Sequence, residues 1–195
     1  MNLIHQLHRF ENSSFCTLEE QPKVTQFLSF LKANPHAFER TNKGHITSSI
    51  WIVNAERTHA LLTHHKKFNE WIQLGGHNDG DHDCRSVAAR EAFEESGIQG
   101  LQFLTDGIFY LDIHEIPAPC SSHYDVGFLM EAPARSNYLV SDESHDLAWV
   151  PFDQVGQYTH EPSVLRMLEK FKKSPFYTIK NSGNTAIFKK EPPAI

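Results

Sequence analysis

The stretch from Gly76 to Ile98, GHNDGDHDCRSVAAREAFEESGI, limits the fold more than any other part of this chain. It carries the punctuation of a helix. Asp83 is a good N-cap acceptor, Gly97 suits a left-handed C-terminal cap, and Ile98 supplies the apolar contact beyond it. Ala89, Ala92, Phe93 and Ser96 are the expected buried, small-residue face. At about 100° per residue, Glu91, Glu94 and Glu95 fall within about 100° of one another, on one face. Like charges so placed repel by a few tenths of a kcal/mol per pair, so helix stability alone would not select them. A hard divalent cation relieves that repulsion, and a set of oxygen ligands suits Mg²⁺ or Mn²⁺. Arg90, four residues before Glu94, can orient that carboxylate.

Gly76, Arg90, Glu91, Ala92, Glu94, Glu95, Gly97 and Ile98 stand at the spacing G-x5-E-x7-R-E-U-x-E-E-x-G-U, with U an aliphatic residue. In this the chain resembles the Nudix hydrolases. One fixed position departs: His82 stands where the family has its first Glu. The resemblance extends through flanking features from about Ile46 to about Lys170. It implies the Nudix fold, an α/β/α sandwich with a mixed sheet, where local pattern alone supports only α/β or α+β. It also implies divalent-metal-dependent hydrolysis of the diphosphate linkage in a nucleoside diphosphate derivative. By the same resemblance Glu94 and Glu95 are the principal metal ligands. Glu91 is a further ligand or the partner of the nucleophilic water. The backbone carbonyl of Gly75 or Gly76 adds an oxygen, and Arg90, which stays protonated, organises the site rather than acting as a base. The rival within the fold is a non-catalytic module that binds or senses a nucleotide sugar. Such modules typically lose box carboxylates, whereas here only the His82 position is changed. An isopentenyl diphosphate isomerase, the other rival, needs a catalytic Cys in the cleft, and Cys84 and Cys120 do not match its motif.

A length of 195 residues fits one domain with extensions, and 39% hydrophobic against 22% charged residues makes the chain globular. The formal charge of −6 argues against a nucleic-acid backbone as partner. Cys16, Cys84 and Cys120 are too few and too scattered for a disulfide framework or a Cys-rich zinc site. The polar N-terminus has no signal pattern, and no apolar run approaches the ~18 residues needed to span a membrane. A cytoplasmic protein is the expectation.

Residues 1–45 read as a helical N-terminal extension, 46–172 as the catalytic domain and 173–195 as a C-terminal hairpin or tail. In the extension, Val24, Phe27, Leu28, Leu31 and Phe38 form a helix-period stripe between Pro22 and the Asn34-Pro35 step. That stripe packs against the domain or a second subunit, so a homodimer is one expectation. Strands are expected over 46–53, 60–64, 71–74, 107–113, 124–131 and 147–150. A short helix should cover 151–157 and a longer one start at Pro162 and reach about Phe171. Phe176 to Lys189 reads as a hairpin around Asn181-Ser182-Gly183-Asn184.

Residues outside the acidic helix complete the candidate set. His82 reads as an ordinary loop residue, with a ligand or proton shuttle as the alternative; Asp81 and Asp83 flank it and could replace the missing carboxylate. Glu143, six residues before Trp149 in a polar loop, is the candidate general base, with Asp142 and His145 as rivals. His65, Lys66 and Tyr124 are candidate substrate contacts: Lys66 or Lys67 for a phosphate, Tyr124 for stacking on a base, as for Trp71 and Tyr110, although a core role suits each aromatic. His64, His65, His77, His114 and His123 lie near expected strand ends and could line the cleft. Their spacing matches no zinc motif.

Overall fold

The computed structural model describes residues 2–40, 44–115 and 122–177. In chain order these form α1 (Leu3–Glu11), α2 (Gln21–Ala33), β1 (His45–Val53), β2 (His59–His65), β3 (Glu70–Ile72), β4 (Leu74–His77) and α3 (Cys84–Ser96). There follow β5 (Gln102–Phe103), β6 (Tyr110–Glu115), β7 (Ser122–Glu131), β8 (Ser144–Pro151), α4 (Val155–Tyr158) and α5 (Pro162–Lys172). The strands build one mixed sheet around β1. It runs antiparallel to β4, with Thr47 opposite His77 and Ile50 opposite Leu74. It runs parallel to β7, from His45–His123 to Val53–Glu131. β5 and β6 extend β7, and β3 and β8 flank β2.

Helices cover both faces of this sheet. Leu3, Leu7 and Phe10 of α1, Val24 and Phe27 of α2, and Ala88 and Ala92 of α3 pack against Ile46, Ile50, Val126 and Phe128. On the other face Val164, Met167 and Phe171 of α5 meet Trp51, Leu62, Leu129 and Val150. The result is the expected α/β/α sandwich. The first half of β1 explains where a cleft can open. Ile46 and Ile50 join the core, while Thr47 and Ser49 alternate onto the opposite, polar face, because successive side chains on a strand point to opposite sides.

Two details differ from the sequence expectation. The extension read as helical opens with α1, where a stretch that looked polar buries an apolar stripe. The helix is capped by Asn2, whose side chain accepts from the Ile4 N–H at 2.9 Å. Its three buried residues sit at helical spacing, and burying each stabilises by roughly 1.5–3 kcal/mol. In α3 the buried face is rotated from the one expected: Phe93 is 51% exposed, whereas Glu95 is 4% exposed. A carboxylate lies inside where the phenyl ring was expected. The terminal hairpin reading falls outside the described residues from 178 onward. No described helix is long and apolar enough to cross a membrane.

Candidate active site

Asp83 caps α3 by accepting from the Ser86 N–H at 3.2 Å, and Gly97 ends it with a left-handed φ of +66°. The helix brings its acidic face against the β4 glycines. Glu95 Oε1 accepts the Gly75 N–H at 2.8 Å. Its other oxygen, Oε2, is buried without a hydrogen-bond partner. Burial raises Glu95 to about 8 despite that hydrogen bond, and Glu91 and Glu143 add to the rise. Burial also raises Glu91, with Arg90 opposing and Glu94 and Glu143 adding to it. Any side chain on Gly76 would collide with the Glu91 carboxylate, and a Cβ on Gly75 would lie 2.6 Å from Ser48 O. Gly75, which meets backbone, therefore requires glycine, whereas a side chain at Gly76 would push the Glu91 carboxylate aside. Glu94 is exposed at the rim of this set. Arg90 stands 3.3 Å from Glu91, not against Glu94 as its spacing suggested.

A buried carboxylate oxygen without a donor is costly unless a cation meets it or the group holds a proton, as the raised value of Glu95 permits in the absence of an ion. Glu91 and Glu95 against the glycine pair, with Glu94 exposed on the same helix, offer oxygen donors of the kind that hold Mg²⁺ or Mn²⁺, although the three carboxylates do not converge on one point among the described residues. The donor chemistry therefore fits the metal that the box implies.

Beside this set opens a cleft of about 540 Å³, the size of a small-molecule site. Thr47, Ser49, His65, Lys67, Gly75, Gly76, His77, Asp125 and Glu143 are among its walls. Asp125, which sequence reading passed over, is buried at its base and accepts from Thr47 Oγ1 at 2.9 Å and Ser49 Oγ at 2.6 Å. Burial raises its carboxyl above the ordinary range. An alternating T-x-S on β1 facing a lone Asp on β7 could have signalled it, but only once the two strands were known to pair.

Of the three loop candidates, Glu143 lines the cleft. Its charge contributes to the raised values of both Glu91 and Glu95. His145 instead lies 5.2 Å from the His64 ring. Lys66 turns away from a phosphate role: its Nζ donates to Asp142 O at 2.7 Å, and its N–H donates to Glu143 O at 3.0 Å. It thereby holds the loop that presents Glu143. The neighbouring Lys67 lines the cleft, and its N–H donates to His65 Nδ1 at 3.1 Å. Burial lowers His65, with Glu143 pulling it upward.

Tyr124 is not brought to the cleft. On β7 it alternates with His123 and Asp125, so it faces α2, stacked on Phe30 at 3.9 Å and edge-on to Phe27 at 5.2 Å. Trp71 and Tyr110 are likewise buried in the core. His82 stacks on Phe38 at 4.2 Å, alongside the N-terminal extension and outside the cleft lining. Asp81 and Asp83 are spent on the turn and the cap: Asp81 Oδ1 accepts the Asp83 N–H at 2.8 Å. Cys84 is fully buried, and burial pushes its thiol up to about 11, which removes it as a nucleophile.

Sequence reading singled out His77 and His123 but missed His45. The three rings meet with centroids 4.8–5.0 Å apart. Burial first, then the neighbouring cations, lowers His77 to about 4; burial, then His77 and His45, lowers His123 to about 3. Both imidazoles are neutral at neutral pH.

Among solved structures, a NUDIX-family hydrolase from Clostridium perfringens is similar at 22% identity and a TM-score of 0.56, covering 66% of this chain and 96% of that one. An Ap4A hydrolase from C. elegans is similar at 18% identity and a TM-score of 0.56, covering 65% and 94%. The E. coli dihydroneopterin triphosphate pyrophosphohydrolase follows at 15% identity and a TM-score of 0.55, covering 65% and 93%. At these identities the likeness is one of fold. No curated protein sequence matches the chain. The NUDIX domain model matches residues 43–171, a range that includes all of β1 and reaches the last turn of α5. With that match over most of its length, the chain belongs to the NUDIX family and is a hydrolase of Nudix type.

Proposed function

We propose that this chain hydrolyses the diphosphate linkage of a nucleoside diphosphate derivative, using Mg²⁺ or Mn²⁺ held by Glu91, Glu94, Glu95 and the Gly76 carbonyl. The observation that carries this reading is the buried, unpartnered Oε2 of Glu95 beside a Glu91 carboxylate seated on Gly76. When bound, the ion neutralises phosphate charge and polarises phosphorus. The remaining work belongs to the chain. Arg90 orients Glu91. Lys67 and His65 meet the phosphates from the cleft wall, and Lys66 positions the Glu143 loop. Glu143 takes the proton of the attacking water as its oxygen bonds to phosphorus. The anhydride P–O bond then breaks, and its electron pair leaves with the departing phosphate.

The test is a panel of nucleoside diphosphate derivatives with Mg²⁺ and with Mn²⁺, reading nucleoside monophosphate and phosphate released. Turnover of at least one class is expected, and Glu143→Gln should lower kcat by ~10²–10⁴ with metal affinity retained. Asp142→Asn and His145→Gln should each cost less than about tenfold, roughly 1.4 kcal/mol. Ligand binding without turnover across the panel would favour a sensor module instead. A larger loss in His145→Gln than in Glu143→Gln would make the histidine the base.

A further inference from the structure

We propose that His45, His77 and His123 form a second metal site, chemically distinct from the carboxylate set, that takes a borderline divalent ion of the Zn²⁺ class.

The three histidines come from three strands that are neighbours only in the sheet. His45 and His123 are register partners on the parallel pair β1 and β7. His77 ends β4 opposite Thr47, two residues along β1 from His45. Side chains two apart on a strand share a face, so the pairing drives all three rings to one place. Each can present one ligand nitrogen, and these atoms lie within 4.8 Å of one another. This is the one such group of His, Cys, Asp or Glu found among the described residues.

Two observations point to a ligand here. Nε2 of His77 and Nε2 of His123 are buried without a hydrogen-bond partner. Unmet buried nitrogens at the mouth of a polar cleft are unusual in a satisfied core. The second is the nature of the cluster: three imidazoles each turn a ligand nitrogen to one place, and neutral imidazole is the metal-binding form. In a tetrahedral site with Zn–N of about 2.0–2.1 Å, each nitrogen would need to close in by less than about 1 Å. Small ring rotations supply that.

The donor set selects the ion. Three nitrogens and no carboxylate suit Zn²⁺, Co²⁺ or Ni²⁺ over Mg²⁺, which the acidic helix serves. Three protein ligands also leave a position open, as in catalytic rather than structural zinc sites. His77 and His123 line the cleft, so that position faces it and would take an anionic oxygen of whatever occupies the cleft. His114, the register neighbour of His123, stands outside the converging group, its Nε2 3.8 Å from Asp112 Oδ2. The site does not depend on the reaction proposed above.

The test uses the full-length protein, stripped with chelator and titrated with Co²⁺ in a large excess of Mg²⁺, which occupies the carboxylate set. One equivalent of Co²⁺ should bind with the visible absorption of a four- or five-coordinate nitrogen site, and Zn²⁺ should displace it. His77→Gln and His123→Gln, each checked for folding by circular dichroism, should weaken uptake by about 100-fold or more. Glu95→Gln should leave uptake intact, as should the double exchange of the exposed His5 and His8. Absence of Co²⁺ uptake by the wild-type protein would overturn the proposal. So would uptake that survives in folded His123→Gln, or uptake that is lost in Glu95→Gln or in the His5/His8 control. If His77→Gln fails to fold, the half-buried His123 and the wild-type titration still decide the matter.

Discussion

Asp112 and Glu95 are equally buried, at 3% and 4% exposure, and yet they are treated oppositely. Burial pushes Asp112 up, but Lys23, Tyr110 and nearby cations outweigh it, and its carboxyl ends at about 2. Lys23 and Arg166 both contact it directly, and Tyr110 donates at 2.7 Å. Beside this network Lys170 Nζ donates to both oxygens of Glu20 at 2.6 Å, joining α5 to the start of α2. Burial lowers Lys170 to about 8 while Glu20 pulls it up. Glu95 has no such company. It receives one backbone N–H, and burial together with the neighbouring carboxylates Glu91, Glu143 and Glu94 raises it to about 8. One cluster is compensated within the chain and ties α2 to α5. The other is left uncompensated by the chain, as the proposed metal role requires. Incomplete compensation, more than burial, distinguishes a binding site from a structural pair.

Neutralising each cluster tests this contrast most directly. Glu95→Gln keeps the shape and the Gly75 hydrogen bond but removes the uncompensated charge. Turnover should fall by about 10³-fold or more, since several kcal/mol of transition-state stabilisation depend on the ion. Metal-free protein should at the same time melt higher than wild type, and the rise in Tm that Mg²⁺ gives the wild type should vanish. A lower Tm without metal would mean that Glu95 is already compensated, and the contrast would break.

Lys170→Met should do the reverse. It leaves Glu20 buried without its cation, and unfolding free energy should drop by about 3–5 kcal/mol in a denaturant titration. Metal-dependent turnover of the protein that remains folded should be unchanged. A neutral effect on stability would show that the Glu20–Lys170 pair carries little net energy.

Asp112 adds a pH signature. Its folded value lies below the ordinary 3.8, so its stabilisation is present above that value and is lost as pH falls from 3.8 through about 2. At about 1.4 kcal/mol per unit, this amounts to about 2 kcal/mol. Wild type should exceed Asp112→Asn in stability by that order near pH 6, and the two curves should converge near pH 2. Parallel curves would remove Asp112 from the acid-sensitive groups. The smallest effect is expected at His82. His82→Glu restores the family pattern on an exposed side chain that stacks on Phe38, and Mg²⁺-dependent activity should stay within about tenfold or rise. A large loss with the fold intact would place His82 in the chemistry.

The acidic helix, its two caps, the glycine pair and the carboxylate triplet were legible in the sequence. The caps and the carboxylates depend on residues a turn or two apart, which helix geometry places, while the glycine pair on β4 was legible only through the family spacing. Most strand segments were legible from local alternation, although the two-residue β5 was not and 71–74 divides into β3 and β4; the family spacing then supplied the three-layer fold. Arg90, by contrast, took Glu91 as its partner rather than Glu94, because rotamer choice is settled by neighbours outside the helix. Residues 1–10 looked polar in composition, although Leu3, Leu7 and Phe10 form a stripe that a helical period exposes.

Other features were decided by the tertiary structure. Which face of α3 is buried, and so whether Phe93 or Glu95 goes inside, depends on what packs against it. Tyr124 faces α2 while its neighbours face the cleft because the register of β7 against β1 sets the alternation. His45, His77 and His123 are 32 and 46 residues apart in the chain and become neighbours only through two different strand pairings, one parallel and one antiparallel. Local spacing determines where a helix puts its charges. Strand register, a long-range choice made by the whole core, determines which distant side chains share a site.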